Sequence, residues 1–126
     1  LARASSFARL QELVGPARVP ADAATTNSGT TRETLELARL LEGQGTRLIA
    51  VPGDLRSPLA ELAEVVLDAG VSEEGGPLGL APRASINAQV TVLAALSALL
   101  QERSGFGQSD YAARHPAGAL GEKARS

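Results

Sequence analysis

The sequence predicts four helices. Residues 85–101 form a long stretch that is apolar nearly all round, and a shorter helix is predicted from Ser109. Residues 1–14 and 31–43 instead repeat apolar residues every three or four positions. Such spacing predicts helices that turn one face towards a core.

Short apolar runs between these helices predict buried strands. Two clear runs cover residues 47–51 and 65–67, and Ser57-Pro58 between them predicts a short helix, because serine caps helix starts and proline suits the first helical position. Residues 21–26 lie where another strand is expected, but they are poor in Val, Ile and Leu, so we expect a poor or shortened strand. Strands alternating with helices predict an α/β fold with a parallel sheet flanked by helices.

The helix predicted over residues 85–101 is apolar on nearly every face. A helix of this kind needs cover on more than one side. In a domain this small, a second subunit could supply that cover, so the pattern favours a homo-oligomer.

Composition and charge restrict the class of protein. A chain of 126 residues with 44% hydrophobic and 21% charged residues is typical of one globular domain. The net charge of −2 and the scattered basic residues argue against a nucleic-acid partner, and no uninterrupted apolar run of about 18 residues points to a membrane. Because the chain has no cysteine and one histidine, we expect no metal site of the zinc type. The default expectation is a cytoplasmic protein.

A run rich in hydroxyl groups precedes the second predicted helix. It consists of Asn27, Ser28, Gly29, Thr30, Thr31, Arg32 and Glu33. A helix start leaves backbone N–H groups without partners and carries the positive end of the helix dipole, so this run suits a phosphate. Alternatively, Thr30 and Glu33 fit a capping box, which needs no ligand. The two interpretations are compatible, and the run alone does not choose between them.

Two other places carry residues suited to acid–base chemistry. Glu73 and Glu74 lie in a loop over residues 70–82 that follows a predicted strand, and parallel α/β folds bind ligands beyond the carboxyl ends of their strands. The alternative is a solvated acidic turn. His115 is the sole histidine, and its pKa suits proton transfer near neutral pH, although a lone histidine is more often structural or simply exposed.

Three segments of the chain are similar to motifs of one family. Residues 26–33 are similar to the phosphosugar loop Ser-x-Ser-Gly-x-(Thr/Ser)-x-Glu of sugar isomerase (SIS) domains. Residues 74–82 are similar to the Glu-x-x-Pro-Leu-Gly-Leu-Ala-Pro loop of the D-arabinose-5-phosphate isomerase branch, and residues 115–121 to its His-Pro-Gly-Gly-Ala-Leu-Gly stretch. The chain therefore resembles that branch of the SIS superfamily over residues 26–121.

The resemblance implies a single SIS-like domain over residues 1–126. Residues 1–20 would form an N-terminal helix and its connection, and residues 21–126 a core with flavodoxin- or Rossmann-type layering. The implied activity is that of a phosphosugar aldose–ketose isomerase, which works through an enediol by general acid–base catalysis and uses no cofactor. Sites in this branch are usually completed across subunit contacts, which implies a dimer or tetramer.

Family positions carry over to residues of this chain. The implied catalytic residues are Glu33, Glu74 and His115, with Glu74 or His115 moving the carbon-bound proton and another of the three assisting ring opening. The implied phosphosugar-binding residues are Thr26, Asn27, Ser28, Gly29, Thr31 and Ser85.

The chain also departs from the family. An earlier strand and a Gly-Lys-Ser-Gly loop have no counterpart here, and the only lysine is Lys123. Methionine is absent and the chain begins at Leu1, so we expect a fragment, a processed product or a chain with missing stretches. Arg83 replaces a Thr/Ser-rich position and is placed to add a phosphate contact. Glu73 adjoins Glu74, and two adjacent acids are expected to raise each other's pKa.

These departures leave a second function open. Some SIS domains bind phosphosugars without turning them over and act as sensors or regulatory modules. The missing lysine loop and the weak first strand motivate this alternative.

Overall fold

The computed structural model describes residues 21–126, and the helix predicted over residues 1–14 lies outside them. The elements are β1 (Ala21–Thr26), α1 (Arg32–Gly43), β2 (Arg47–Pro52), α2 (Pro58–Leu62), β3 (Val65–Val66), α3 (Ala84–Ser104), α4 (Gln108–Arg114) and α5 (Ala119–Arg125). Strands and helices alternate up to α3, which confirms the predicted α/β class.

The strands of residues 21–126 form a parallel sheet in the order β1-β2-β3. β1 pairs with β2 along its whole length and ends level with it, with Thr26 opposite Pro52. The expectation of a poor or shortened first strand is therefore wrong. The strand is stabilised by backbone hydrogen bonds to β2, which do not depend on the size of its side chains. The Thr25 hydroxyl also donates a 3.1 Å hydrogen bond to the carbonyl oxygen of Val51.

Helices cover both faces of the sheet because side chains alternate along β2. One hydrophobic cluster joins β2 to α1 and α2 and contains Leu35, Ala38, Leu48, Ala50 and Leu59. The other joins β2 and β3 to α3 and contains Ile49, Val65 and Leu96. This arrangement confirms a parallel sheet flanked by helices.

α3 is apolar but little buried within residues 21–126. Its buried residues are Ser85 and Leu96, whereas Ile86, Val90 and Leu100 are exposed. By length and composition alone, with a mean hydropathy of 1.4, this helix could also cross a membrane. The exposed apolar side chains are consistent with the expectation that α3 needs cover from beyond the described residues.

Replacing Leu59 by alanine should lower the free energy of unfolding by about 2–5 kcal/mol, because the lost side chain leaves a cavity in the core. Leu59 is fully buried between β2 and α1. The matched control is Leu40→Ala, since Leu40 on α1 is 59% exposed and its loss should change the free energy by roughly 0.5 kcal/mol or less. Urea unfolding followed by circular dichroism measures both, and equal effects would contradict the assignment of Leu59 to the core.

Candidate functional site

The last residue of β1, Thr26, and residues 27–31, which lead to α1, are together called here the 26–31 loop. The hydroxyl oxygens of Thr26 and Thr31 lie 2.9 Å apart and share a hydrogen bond across it. Within the loop, the Ser28 hydroxyl oxygen accepts hydrogen bonds from the backbone N–H and the hydroxyl of Thr30, at 3.3 and 2.9 Å. These bonds fold the hydroxyl-bearing residues into one compact turn.

The start of α1 has no side-chain cap. Thr31 is the N-cap residue and makes no capping hydrogen bond, while the Thr30 hydroxyl donates to Ser28. The capping box considered for Thr30 and Glu33 is therefore not formed. A helix start without a side-chain cap keeps N–H groups available beside these hydroxyls, which is an arrangement suited to an anion.

The 26–31 loop is fixed by the segment that follows β2. The backbone N–H of Gly53 donates to the carbonyl oxygen of Asn27 at 2.9 Å, and that of Leu59 to the carbonyl oxygen of Gly29 at 3.2 Å. Gly29 has a φ of +64° and lies so close to the Ser57 side chain that a Cβ would not fit. The position of the loop therefore depends on a glycine at residue 29.

Sequence reasoning missed two supports of this loop. Ser57 was identified only as the cap of α2, which the structure confirms, and Gly53 was assigned no role. Loops that follow neighbouring parallel strands lie at the same edge of the sheet, and this rule could have indicated that residues after β2 lie near the 26–31 loop. Predicting the contacts would have required the register of β1 against β2.

Glu74 connects the 26–31 loop to α3. Its carboxylate accepts hydrogen bonds from the Asn27 side-chain amide at 3.2 Å and from the backbone N–H groups of Arg83 at 2.7 Å and Ser85 at 3.1 Å. Asn27, Glu74 and Ser85, all predicted site residues, are thus brought together around one carboxylate.

Hydrogen bonding lowers the pKa of Glu74 below its ordinary value of 4.5. The Ser85 side chain has the largest effect, followed by the backbone N–H groups of Arg83 and Ser85. The expectation that Glu73 raises this pKa is wrong, because Glu73 is exposed to water and the donors converge on Glu74. Glu74 is therefore ionised at neutral pH and able to accept a proton.

Glu33 lies on the exposed surface of α1. Its carboxylate makes no hydrogen bond or ion pair within residues 21–126. Glu33 is one of the residues that line a cavity of about 520 Å³ beside β1, together with Asp22, Leu37 and Leu41.

His115 lies just after α4, where its exposed ring contacts Tyr111 of the same helix. Nowhere in the described part of the chain does a hydrogen bond, ion pair or ring contact join Glu33, Glu74 and His115 to one another. Their convergence on one substrate stays a prediction.

The described residues contain no group of three or more side chains placed to hold a metal ion.

The comparisons with known proteins connect this geometry to phosphosugar enzymes. No protein-family model matches the chain. Arabinose 5-phosphate isomerase KdsD of Pseudomonas aeruginosa is 44% identical over 100 residues, which are 79% of this chain and 31% of the relative. Arabinose 5-phosphate isomerase GutQ of Salmonella typhimurium is 38% identical over 96 residues, 76% of this chain and 30% of the relative. The chain spans about a third of the length of these relatives.

Solved structures that are similar to this chain also include phosphosugar proteins. A protein assigned as a phosphosugar isomerase involved in capsule formation, from Bacteroides fragilis, superposes with a TM-score of 0.70 at 31% identity, over 75% of this chain and 50% of its own. An E. coli CFT073 protein in complex with arabinose 5-phosphate gives a TM-score of 0.68 at 28% identity, over 88% of this chain and 66% of its own. This chain matches part of a SIS domain. The resemblance inferred from the sequence motifs is thereby confirmed.

Lowering the pH should weaken the hydrogen bonds that Glu74 accepts from Asn27, Arg83 and Ser85. Because folding lowers the pKa of Glu74, its hydrogen bonds contribute stability that is complete at neutral pH and is lost as the pH falls below 4.5 and through the folded pKa. The amide signals of Arg83 and Ser85 in nuclear magnetic resonance spectra should shift together, with a midpoint below 4.5.

The Glu74→Gln variant is the control for this titration, since its neutral amide should leave both signals without that transition. A midpoint at or above 4.5 in the unmodified protein would contradict the described hydrogen bonding.

Proposed function

We propose that the protein containing this SIS segment is an aldose–ketose isomerase that acts on a small sugar phosphate, arabinose 5-phosphate being the first candidate. The observation that carries the proposal is an ionised Glu74 carboxylate bonded to Asn27 at the edge of the 26–31 loop. The arabinose 5-phosphate isomerases among the relatives support it. A cytoplasmic location is proposed from composition alone.

The phosphate group would bind at the start of α1. The hydroxyls of Thr26, Ser28 and Thr31 and the backbone N–H groups near Gly29 supply the donors, and the helix dipole favours the negative charge. Asn27 and Ser85 are the other two predicted contributors, and both are hydrogen-bonded to Glu74.

Glu74 would act as the base for the proton on carbon. It removes the proton from C2 of the open-chain aldose, the electrons of that C–H bond form the C1=C2 double bond, and a proton donor protonates O1 to complete the enediol. Glu74 then returns its proton to C1, where the electrons of the C1=C2 double bond form the new C–H bond. At the same time the group that protonated O1 takes the proton from the O2 hydroxyl, and the electrons of that O–H bond form the C2=O bond of the ketose. Glu33 and His115 would serve ring opening and the proton transfers at oxygen.

His115 would reach the site of a second subunit. Its ring is exposed and stacks on Tyr111 of α4, while α3 exposes an apolar surface suited to self-association. A homo-oligomer, either a dimer or a tetramer, would bring the imidazole of one subunit to the Glu74 of another.

The Glu74→Gln variant should lower kcat for arabinose 5-phosphate by roughly 10²–10⁴-fold, because an amide cannot accept the carbon-bound proton. The dissociation constant of the substrate, measured by calorimetry, should change much less than kcat, because the phosphate donors of the 26–31 loop remain, although glutamine has one accepting oxygen and cannot accept from Asn27 and from the N–H groups of Arg83 and Ser85 together. Glu73→Gln is the matched control and should retain normal turnover. Unchanged kcat in the Glu74 variant would refute the proposed base.

Mixing subunits tests the shared site. Glu74→Gln and His115→Gln proteins should each be inactive, and equal amounts dissociated and reassembled as dimers should recover about a quarter of normal activity, because half of the dimers are hybrids with one intact site each. No recovery in mixtures that mass spectrometry shows to contain hybrids would contradict completion of the site by a second subunit.

A non-catalytic phosphosugar-binding module is the second candidate function. It is favoured because, within the described residues, no hydrogen bond, ion pair or ring contact joins Glu33 or His115 to Glu74. Calorimetric binding of arabinose 5-phosphate without turnover in the full-length protein would support this candidate, and measurable turnover would eliminate it.

A further inference from the structure

Tyr111 and His115 form a stacked pair on α4 and the turn after it. Their ring centroids lie 4.2 Å apart with an interplanar angle of 13°. The imidazole Nδ1 is also 3.1 Å from the backbone carbonyl oxygen of Tyr111. Tyr111 therefore contacts the imidazole twice, through its ring and through its backbone.

The backbone contact selects one form of the neutral imidazole. A carbonyl oxygen can only accept a hydrogen bond, so Nδ1 must carry the hydrogen and Nε2 keeps the lone pair. The nitrogen left free is the one that can accept a proton from a substrate hydroxyl.

Tyr111 is itself held by its neighbours. Phe106 packs edge-on against it, with centroids 6.5 Å apart and an angle of 77°, and the Arg114 guanidinium lies 5.0 Å from the centre of the Phe106 ring. The carbonyl oxygen of His115 contacts Gly121 of α5 so closely that no side chain fits there. The imidazole is thus supported by the packed side chains of Tyr111, Phe106 and Arg114, although its own ring is exposed to solvent.

We propose that Tyr111 is a positioning residue for His115. The Tyr111 ring fixes the plane of the imidazole, and the Tyr111 carbonyl keeps the lone pair at Nε2. The imidazole of His115 is therefore oriented before the substrate binds. An exposed histidine without such contacts would occupy several rotamers and both tautomers. The inference rests on the proposed catalytic role of His115 and adds the residue that prepares it.

The Tyr111→Leu variant of the full-length protein tests this role. We expect kcat for arabinose 5-phosphate to fall about tenfold, equivalent to about 1.4 kcal/mol of transition-state free energy, with KM changed less than about twofold. Tyr111→Phe keeps the stacked ring and should restore the normal kcat. Nitrogen-15 spectra of His115 should show hydrogen at Nδ1 in the unmodified protein. The leucine variant keeps the backbone carbonyl but loses the stacked ring that holds the imidazole plane against it, so its spectra should show a mixture of tautomers.

The outcomes separate the positioning role from the proposed function. If His115→Gln lowers kcat but Tyr111→Leu does not, the positioning role is overturned and the isomerase proposal stands. If His115→Gln leaves kcat unchanged, the role of the imidazole fails and the positioning role with it. If the leucine variant does not fold, the spectra of the unmodified protein decide, because hydrogen at Nε2 in place of Nδ1 would overturn the inference.

Discussion

A single carboxylate joins the two halves of the candidate site. Glu74 bonds to the Asn27 side chain, 47 residues earlier in the chain, and to two backbone N–H groups at the start of α3. Hydrogen bonds to an ionised acceptor are roughly twice as strong as those between neutral groups. The loop after β1 and the start of α3 therefore hold a common position because both contact the same negative charge.

The same hydrogen bonds affect reactivity. By favouring the ionised form they keep Glu74 free to accept a proton at neutral pH, but they also make it a weaker base, because its pKa moves away from neutrality. A weak base can remove a proton from carbon only if the charge that develops on the neighbouring oxygen is neutralised at the same time. In the proposed mechanism, the proton donor at O1 would therefore matter as much as the base.

The sequence predicted the parts of the structure that depend on local pattern. β2 and α1 were predicted from the pattern of their apolar residues, α3 from a long apolar stretch, and α2 from Ser57-Pro58 at its start. β1 was underestimated because its formation depends on pairing with β2, a partner more than twenty residues away. The contacts of Gly53 and Ser57 with the 26–31 loop and the lowered pKa of Glu74 were missed for a similar reason. Both arise from contacts between segments that are far apart in the sequence, and the spacing of apolar residues within one segment does not predict such contacts.

The level ends of β1 and β2 have a consequence for how such a domain can vary. Thr26 lies opposite Pro52, so the segments that leave the two strands start at the same height and interlock through Gly29, Gly53 and Ser57. One residue added to or removed from either strand would displace its outgoing segment by about 3.3 Å and turn its side chains to the other face. Side chains of the segments that leave β1 and β2 can therefore change during evolution, whereas the lengths of the two strands cannot.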